Sequence, residues 1–465
     1  MTSPSDRRMS DAEALMWNVE SDPWFSSTFG TIAVLESQPD LDLLRRIVEA
    51  AVAATPRLRR RVVEPPNRMG NPLWEADDEF DLDYHLRHLA LPHDGDDRQK
   101  DDRERLDDLC CRLLADPLDR TRPLWQFVVI DGLSQDRSAV LIKLHHTVSD
   151  GIGAIKLAEH YMSPVPTPEL PAPVDLAELM AADLADGDGS NPLLVQGLNA
   201  VAVGIKRFAE GAGAAVTSPG TTVAAARSVA DQLTGSTPTS PLWADRSRHR
   251  RLATFDVELE PALTAARQLG GTLNDLFVTA CLMGASTYHE THDVDVPELT
   301  VSFIISTREK GDSSTSNAFS PSTTAVPAGP MDQAERFAAV HEALTSRRSE
   351  VTGGGEVLGG LAGFANLLPT HVSTGVARQQ AARIDFATSN VRGAPFPVYV
   401  AGAKLLASYP IGPVAGTAFN ITLLSYDGTM NVGLHTDPRA VTEPDQLRDA
   451  IIAGFAQLLD SRGQG

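Results

Sequence analysis

The chain has 465 residues, 42% of them hydrophobic and 22% charged, with a formal net charge of −21. That length exceeds the roughly 250–300 residues at which a single core stops growing, so two domains are expected. The acid excess argues against a nucleic-acid partner, which needs a basic face to displace counterions, and three cysteines, two of them adjacent, fit a reducing cytoplasm rather than a disulfide framework.

Arg7 and Arg8 near the N-terminus are followed by Asp11 and Glu13 instead of an apolar core, so no export signal is expected. Residues 41–54 and 103–114 have helical spacing, and residues 31–35, 126–130 and 139–144 read as strands. Residues 1–161 are therefore expected to form an α+β domain. Pro164 opens a Pro-rich, acidic stretch that runs to Gly189, and residues 192–233 then show helical spacing broken at Pro219-Gly220. Residues 162–243 thus read as a linker with a helical lid.

The second domain, residues 244–465, is expected to alternate again. It has a strand at 254–259, a helix at 261–269 and a long apolar helix at 272–288 capped by Thr272 or Asn274. Strands follow at 300–306 and 420–425, then a last helix at 444–459. A membrane span needs about 20 apolar residues. Residues 357–368 stop at Pro369 and residues 193–205 at Lys206-Arg207, so either stretch suits a membrane interface or a lipid channel, and core packing is the commoner fate.

The strand at 139–144 runs straight into His145-His146-Thr147-Val148-Ser149-Asp150-Gly151, and a helix-like segment starts at Ile152. Side chains alternate along a strand, so only one of the two histidines faces a given cleft. Imidazole, with an unperturbed pKa near ~6.5, can take and return a proton at cellular pH, which suits a general base. Gly151 is free to adopt φ > 0 in the turn, and Asp150 could bind a ring or a cation and fix the loop. The same residues also read as two half-buried histidines beside a turn aspartate. No metal is expected, because only His160 lies near enough to join His146 and Asp150 and zinc sites take three or four ligands. No Gly-x-Ser-x-Gly elbow, Walker loop or dinucleotide fingerprint occurs, so no nucleophile motif for a covalent intermediate is present.

The complete His-His-x-x-x-Asp-Gly run resembles that of the CoA-dependent acyltransferases, a superfamily that includes chloramphenicol acetyltransferase, carnitine acyltransferases and peptide-synthetase condensation domains. Four further stretches, in the same order, resemble the bacterial wax ester synthase/diacylglycerol acyltransferase family. They are Pro123-Leu124-Trp125, Asn274-Asp275-Leu276-Phe277-Val278-Thr279-Ala280, Ser389-Asn390-Val391-Arg392-Gly393 and Ser425-Tyr426-Asp427-Gly428. Arg392 departs from that family's usual proline, Ser306-Thr307-Arg308 from its Ser-Val-Arg, and residues 241–251 from its usual pattern.

The resemblance implies an α+β fold of the α/β sandwich type, with two chloramphenicol-acetyltransferase-like domains around a central tunnel. It implies transfer of a fatty acyl group from acyl-CoA, a substrate and not a cofactor, to diacylglycerol or a long-chain alcohol. His146 would be the base, His145 a helper and Asp150 a brace. Gly151, Asn274, Ser389, Asn390 and Trp125 would contact substrate or the oxyanion, against structural readings of Asn274-Asp275 as a helix cap, Ser389-Asn390 as a turn and Trp125 as core. The basic clusters at 57–61 and 246–251 could hold CoA phosphates or meet an anionic membrane, and read equally well as solvated faces. Peripheral contact with the inner membrane face or a lipid droplet is expected. The alternatives are a relative on the same fold with another acyl donor or acceptor, and an inactive lipid-binding protein.

Overall fold

The protein is described from a computed structural model covering residues 7–65, 70–92, 101–149, 151–187, 240–306, 319–352 and 370–460. Helix α1 (Asp11–Val19) starts at Ser10, whose hydroxyl accepts the Glu13 N–H while the Glu13 carboxylate accepts the Ser10 N–H. This reciprocal cap satisfies two of the orphan donors at the helix start. Strand β1 (Thr28–Leu35), α2 (Leu41–Ala54), the hairpin β2 (Arg60–Val63) and β3 (Leu73–Ala76), α3 (Leu82–His85) and β4 (Leu86–Ala90) follow. The first half continues through α4 (Asp102–Ala115), β5 (Trp125–Asp131), β6 (Ser138–His145), α5 (Gly151–Ala158), β7 (Met162–Ser163) and α6 (Leu176–Gly187).

The second half begins with β8 (Arg251–Glu258), α7 (Leu259–Gln268) and α8 (Leu273–Thr291), then β9 (Glu298–Ser306), β10 (Phe319–Pro327), α9 (Gln333–Thr352) and α10 (Thr370–Ala381). It closes with β11 (Phe386–Arg392), β12 (Tyr399–Val400), β13 (Ala403–Ile411), β14 (Phe419–Tyr426), β15 (Thr429–Thr436) and α11 (Pro444–Asp460). The helices expected at 41–54, 103–114 and 444–459 are all present, with ends shifted by at most a residue. Thr272 caps α8, forming a capping box with Asp275, and Asn274 lies in the first turn.

Two mixed sheets organise these elements. One has the order β4-β5-β6-β1-β13-β12-β7, the other β10-β9-β11-β14-β15-β8. β13 pairs antiparallel with β1 over Gly30↔Ile411 to Leu35↔Leu405, so a strand from beyond residue 244 completes the sheet of the first 161 residues. A purely sequential division of the chain does not contain this exchange. Glycine makes the crossing close: a Cβ at Gly433 of β15 would lie 2.2 Å from the Pro410 carbonyl oxygen of β13.

Three apolar layers pack on these sheets. Leu106, Cys110 and Leu114 of α4 pack on Val128, Ile130, Ala139 and Leu141. The opposite face of that sheet packs on α1 and α2 through Trp17, Leu44 and Val48. In the second half, Phe277 of α8 and Phe455 of α11 lie on Phe255, Leu423 and Val432. The three cysteines are buried thiols. No described helix is long and apolar enough to cross a membrane. The expected lid at 192–233 and the apolar stretches 193–205 and 357–368 lie outside the described residues.

Candidate active site

Strand β6 delivers the histidine pair to the end of the sheet. Thr28 of β1 lies opposite His145, and the next rung is the His146 N–H donating to the Ser27 carbonyl at 2.9 Å. The chain then turns over residues 146–148, with the Val148 N–H bonded to the His145 carbonyl at 2.9 Å. Alternation sends the two rings to opposite sides.

His145 turns into the protein and is 2% exposed. Its Nδ1 accepts the Thr147 N–H at 3.1 Å and lies 2.7 Å from the Thr147 hydroxyl, so the ring proton sits on Nε2, which donates to Oε2 of Glu20 at 2.5 Å. Burial on its own would raise the Glu20 carboxyl pKa. The hydrogen bond from His145, the Ser27 N–H and Arg120 outweigh burial and hold it below its ordinary value.

His146 turns the other way, with its ring 4.5 Å from that of Phe29, and lines a cavity of 940 Å³ between the two sheets. The size suits a substantial apolar ligand. Ile142, Leu144, Phe29 and Leu405 from one sheet face Ile304, Leu424 and Tyr426 from the other. Ser389 and Asn390 of β11 stand on the same wall system, so the structure brings them into one cavity with His146. They lie on a strand rather than in the turn their composition suggested: β11 pairs in parallel with β14, Ser389 opposite Thr422 and Asn390 opposite Leu423. Arg392 lines the cavity as well, near the exposed end of β11.

Asn420 of β14, 8% exposed, also lines the cavity. Its Oδ1 accepts the Thr422 hydroxyl at 2.8 Å, which fixes the amide. Its neighbour Ser425-Tyr426 carries the recognisable motif, and nothing local in the sequence singles Asn420 out.

Residues 9–277 match the family model described as the wax ester synthase/diacylglycerol acyltransferase catalytic domain, and residues 315–459 match its C-terminal domain. The chain belongs to this family. Family membership makes it an O-acyltransferase. Among curated relatives, a Mycobacterium tuberculosis H37Rv protein named a putative diacylglycerol O-acyltransferase is 30% identical over 472 residues, covering 98% of this chain and 93% of the relative. The solved wax ester synthase/diacylglycerol acyltransferase of Marinobacter aquaeolei VT8 has a TM-score of 0.66 at 21% identity, covering 98% of this chain and all of that one. The first condensation domain of the calcium-dependent antibiotic synthetase shares the fold with a TM-score of 0.61 at 16% identity, over 97% of this chain and 96% of its own.

Trp125 and Asn274, also expected at the site, stand elsewhere in this family member. Trp125 is fully buried in the core, stacked on His85 at 4.4 Å with its Nε1 donating to the Leu58 carbonyl at 2.7 Å, and is not among the residues lining the cavity. Asn274 is not among them either. Asp275 beside it accepts the N–H and hydroxyl of Thr272 and pairs with His341 at 2.8 Å. Gly151 opens α5, and Asp150 lies outside the described residues.

Each arginine cluster contains buried members, Arg59 and Arg60 in the first and Arg246 in the second. Arg59 donates to the Val52 and Ala53 carbonyls and to Asp183, while Arg246 donates to the carbonyls of Gly416 and Ile384. Guanidinium groups committed to buried carbonyls offer little to a phosphate. Among the described residues, no group of three His, Cys, Asp or Glu side chains is placed to hold a metal ion.

Proposed function

We propose that this chain transfers a long-chain fatty acyl group from acyl-CoA to the hydroxyl of diacylglycerol or a long-chain alcohol, with His146 as general base. The observation that carries the reading is the placement of His146 on the wall of an apolar cavity between the sheets. Nδ1 of His146 is buried, so Nε2 is the nitrogen that meets a substrate hydroxyl. The alcohol oxygen attacks the thioester carbonyl carbon as Nε2 takes its proton, and a tetrahedral oxyanion forms. Collapse breaks the carbon–sulfur bond, and the imidazolium returns the proton to the departing thiolate, which leaves as free CoA.

The oxyanion needs donors, each worth about 2.7–4 kcal/mol in other acyl transfer enzymes. Ser389, Asn390 and Asn420 are polar groups of this cavity suited to the task. The apolar walls hold the acyl chain and exclude water, which protects the thioester from hydrolysis. Diacylglycerol is favoured among acceptors by the names of the mycobacterial relatives. The test is thiol release from palmitoyl-CoA with purified protein against dipalmitoylglycerol, hexadecanol and buffer alone. Acceptor-dependent release with ester formation is expected, and release that no acceptor stimulates overturns the reading.

A further inference from the structure

His146 must keep one position through the reaction, yet its backbone lies in a turn just past a strand end. Helix α1 reaches that turn at two points. Glu13 and Glu20 are seven residues apart, about two helical turns, so their side chains leave the same face of the helix.

Glu20 is the C-cap of α1. One carboxylate oxygen accepts Nε2–H of His145 at 2.5 Å and the other accepts the Ser27 N–H at 2.9 Å. The Ser27 carbonyl in turn accepts the His146 N–H at 2.9 Å. One carboxylate thereby grips the ring of the residue before His146 and, through a single residue, the His146 backbone. Glu13, 1% exposed, takes Nη1 of Arg57 at 2.6 Å, and that nitrogen also donates to the Thr147 carbonyl at 2.8 Å. The Arg57 guanidinium is held 5.2 Å over the Trp74 ring.

Helix formation does not account for an acid at position 20, because a helix C-terminus already carries partial negative charge. Nor does burial, which disfavours a carboxylate unless its oxygens are satisfied. What Glu20 does have is two donors, the His145 ring and the N–H of Ser27, whose carbonyl holds the His146 N–H. We propose that Glu20 is a positioning residue for the acyl transfer, with the Glu13–Arg57 pair as a second anchor: α1 clamps the turn so that the His146 ring stays against the cavity. The proposal rests on His146 being the base. Displacing a catalytic group by about 1 Å can cost on the order of a hundredfold in rate.

The experiment compares Glu20→Ala, Glu20→Gln, Arg57→Met and His146→Ala in steady-state turnover of palmitoyl-CoA with the acceptor the wild type uses, alongside melting curves. Glu20→Ala is expected to lower kcat roughly tenfold to hundredfold while KM for palmitoyl-CoA stays within about twofold. Glu20→Gln is expected to fall between, since one amide oxygen cannot replace two carboxylate oxygens. Arg57→Met lowers kcat in the same sense. Should Glu20→Ala fail to fold, the kcat and KM of Glu20→Gln decide the matter. Wild-type kcat in the folded Glu20 variants, or a loss confined to KM, overturns the positioning role. Full activity of His146→Ala overturns the base itself, so the two failures are distinct.

Discussion

The Asp107 carboxylate of α4 accepts both the N–H and the hydroxyl of Thr254 on β8, at 2.8 and 3.0 Å, tying the helix that covers one sheet to the edge strand of the other. Burial pushes the Asp107 pKa up to about 7, and the Thr254 hydrogen bonds only partly offset this. The unfolded carboxyl ionises near ~3.9. Between about pH 4 and 7 the folded chain keeps a proton that the unfolded chain has released, so this group makes stability fall as pH rises through that window. Glu20, with a lowered pKa, acts in the opposite sense and loses its contribution only as the solution becomes acid.

Asp107→Asn is therefore expected to show a flatter, or more upward, trend of melting temperature from pH 4 to 7 than the wild type. Identical trends in the two proteins would show that Asp107 does not retain its proton on folding.

Trp125→Phe removes the indole N–H from the Leu58 carbonyl and shrinks the stack on His85. A loss of about 1–3 kcal/mol in stability is expected. KM for acyl-CoA should not move, because the ring is in the core and away from the cavity. A raised KM with unchanged melting would instead make Trp125 a substrate contact.

Gly433→Ala places a methyl group against the Pro410 backbone where β13 crosses β15. Backbone cannot yield as a flexible side chain does, so the exchanged strand must shift. Denaturant unfolding should show a loss of about 1–3 kcal/mol or more, together with weaker acyl-CoA binding, since Pro410 and Ile411 line the cavity. Unchanged stability would mean that the crossing is looser than the structure has it.

Asn390→Ala, measured beside Ser389→Ala, separates donors from bystanders on β11. An oxyanion donor is expected to lose about 10²–10³ in kcat with little change in KM. An increase in KM alone would assign the residue to substrate binding.

Much of this was legible in the sequence where the signal is local. The aliphatic run before His145 and the helical spacing of residues 41–54 each depend on neighbours within a few positions, and β6 and α2 appear where expected. Long-range choices left no such trace. Glu20 reads as an ordinary acid at a helix end, and its partner His145 is 125 residues away. β13 shows no strict alternation, and nothing in Ala403–Ile411 states that it will pair with β1. The arginines show their charge in the sequence but not the carbonyls that absorb it, which is why Arg59 and Arg246 resemble a basic patch and are instead buried donors. Pro123-Leu124-Trp125 marks the right stretch of chain for a structural reason, since Trp125 carries packing rather than a cavity wall.

The most direct test of the account is a single-turnover measurement of CoA release by His146→Ala, made with palmitoyl-CoA and acceptor at saturating protein. The variant is expected to fold with a wild-type melting temperature, still bind palmitoyl-CoA and release thiol at least about a hundredfold more slowly, in keeping with loss of a general base. Acceptor-dependent release at the wild-type rate would contradict it.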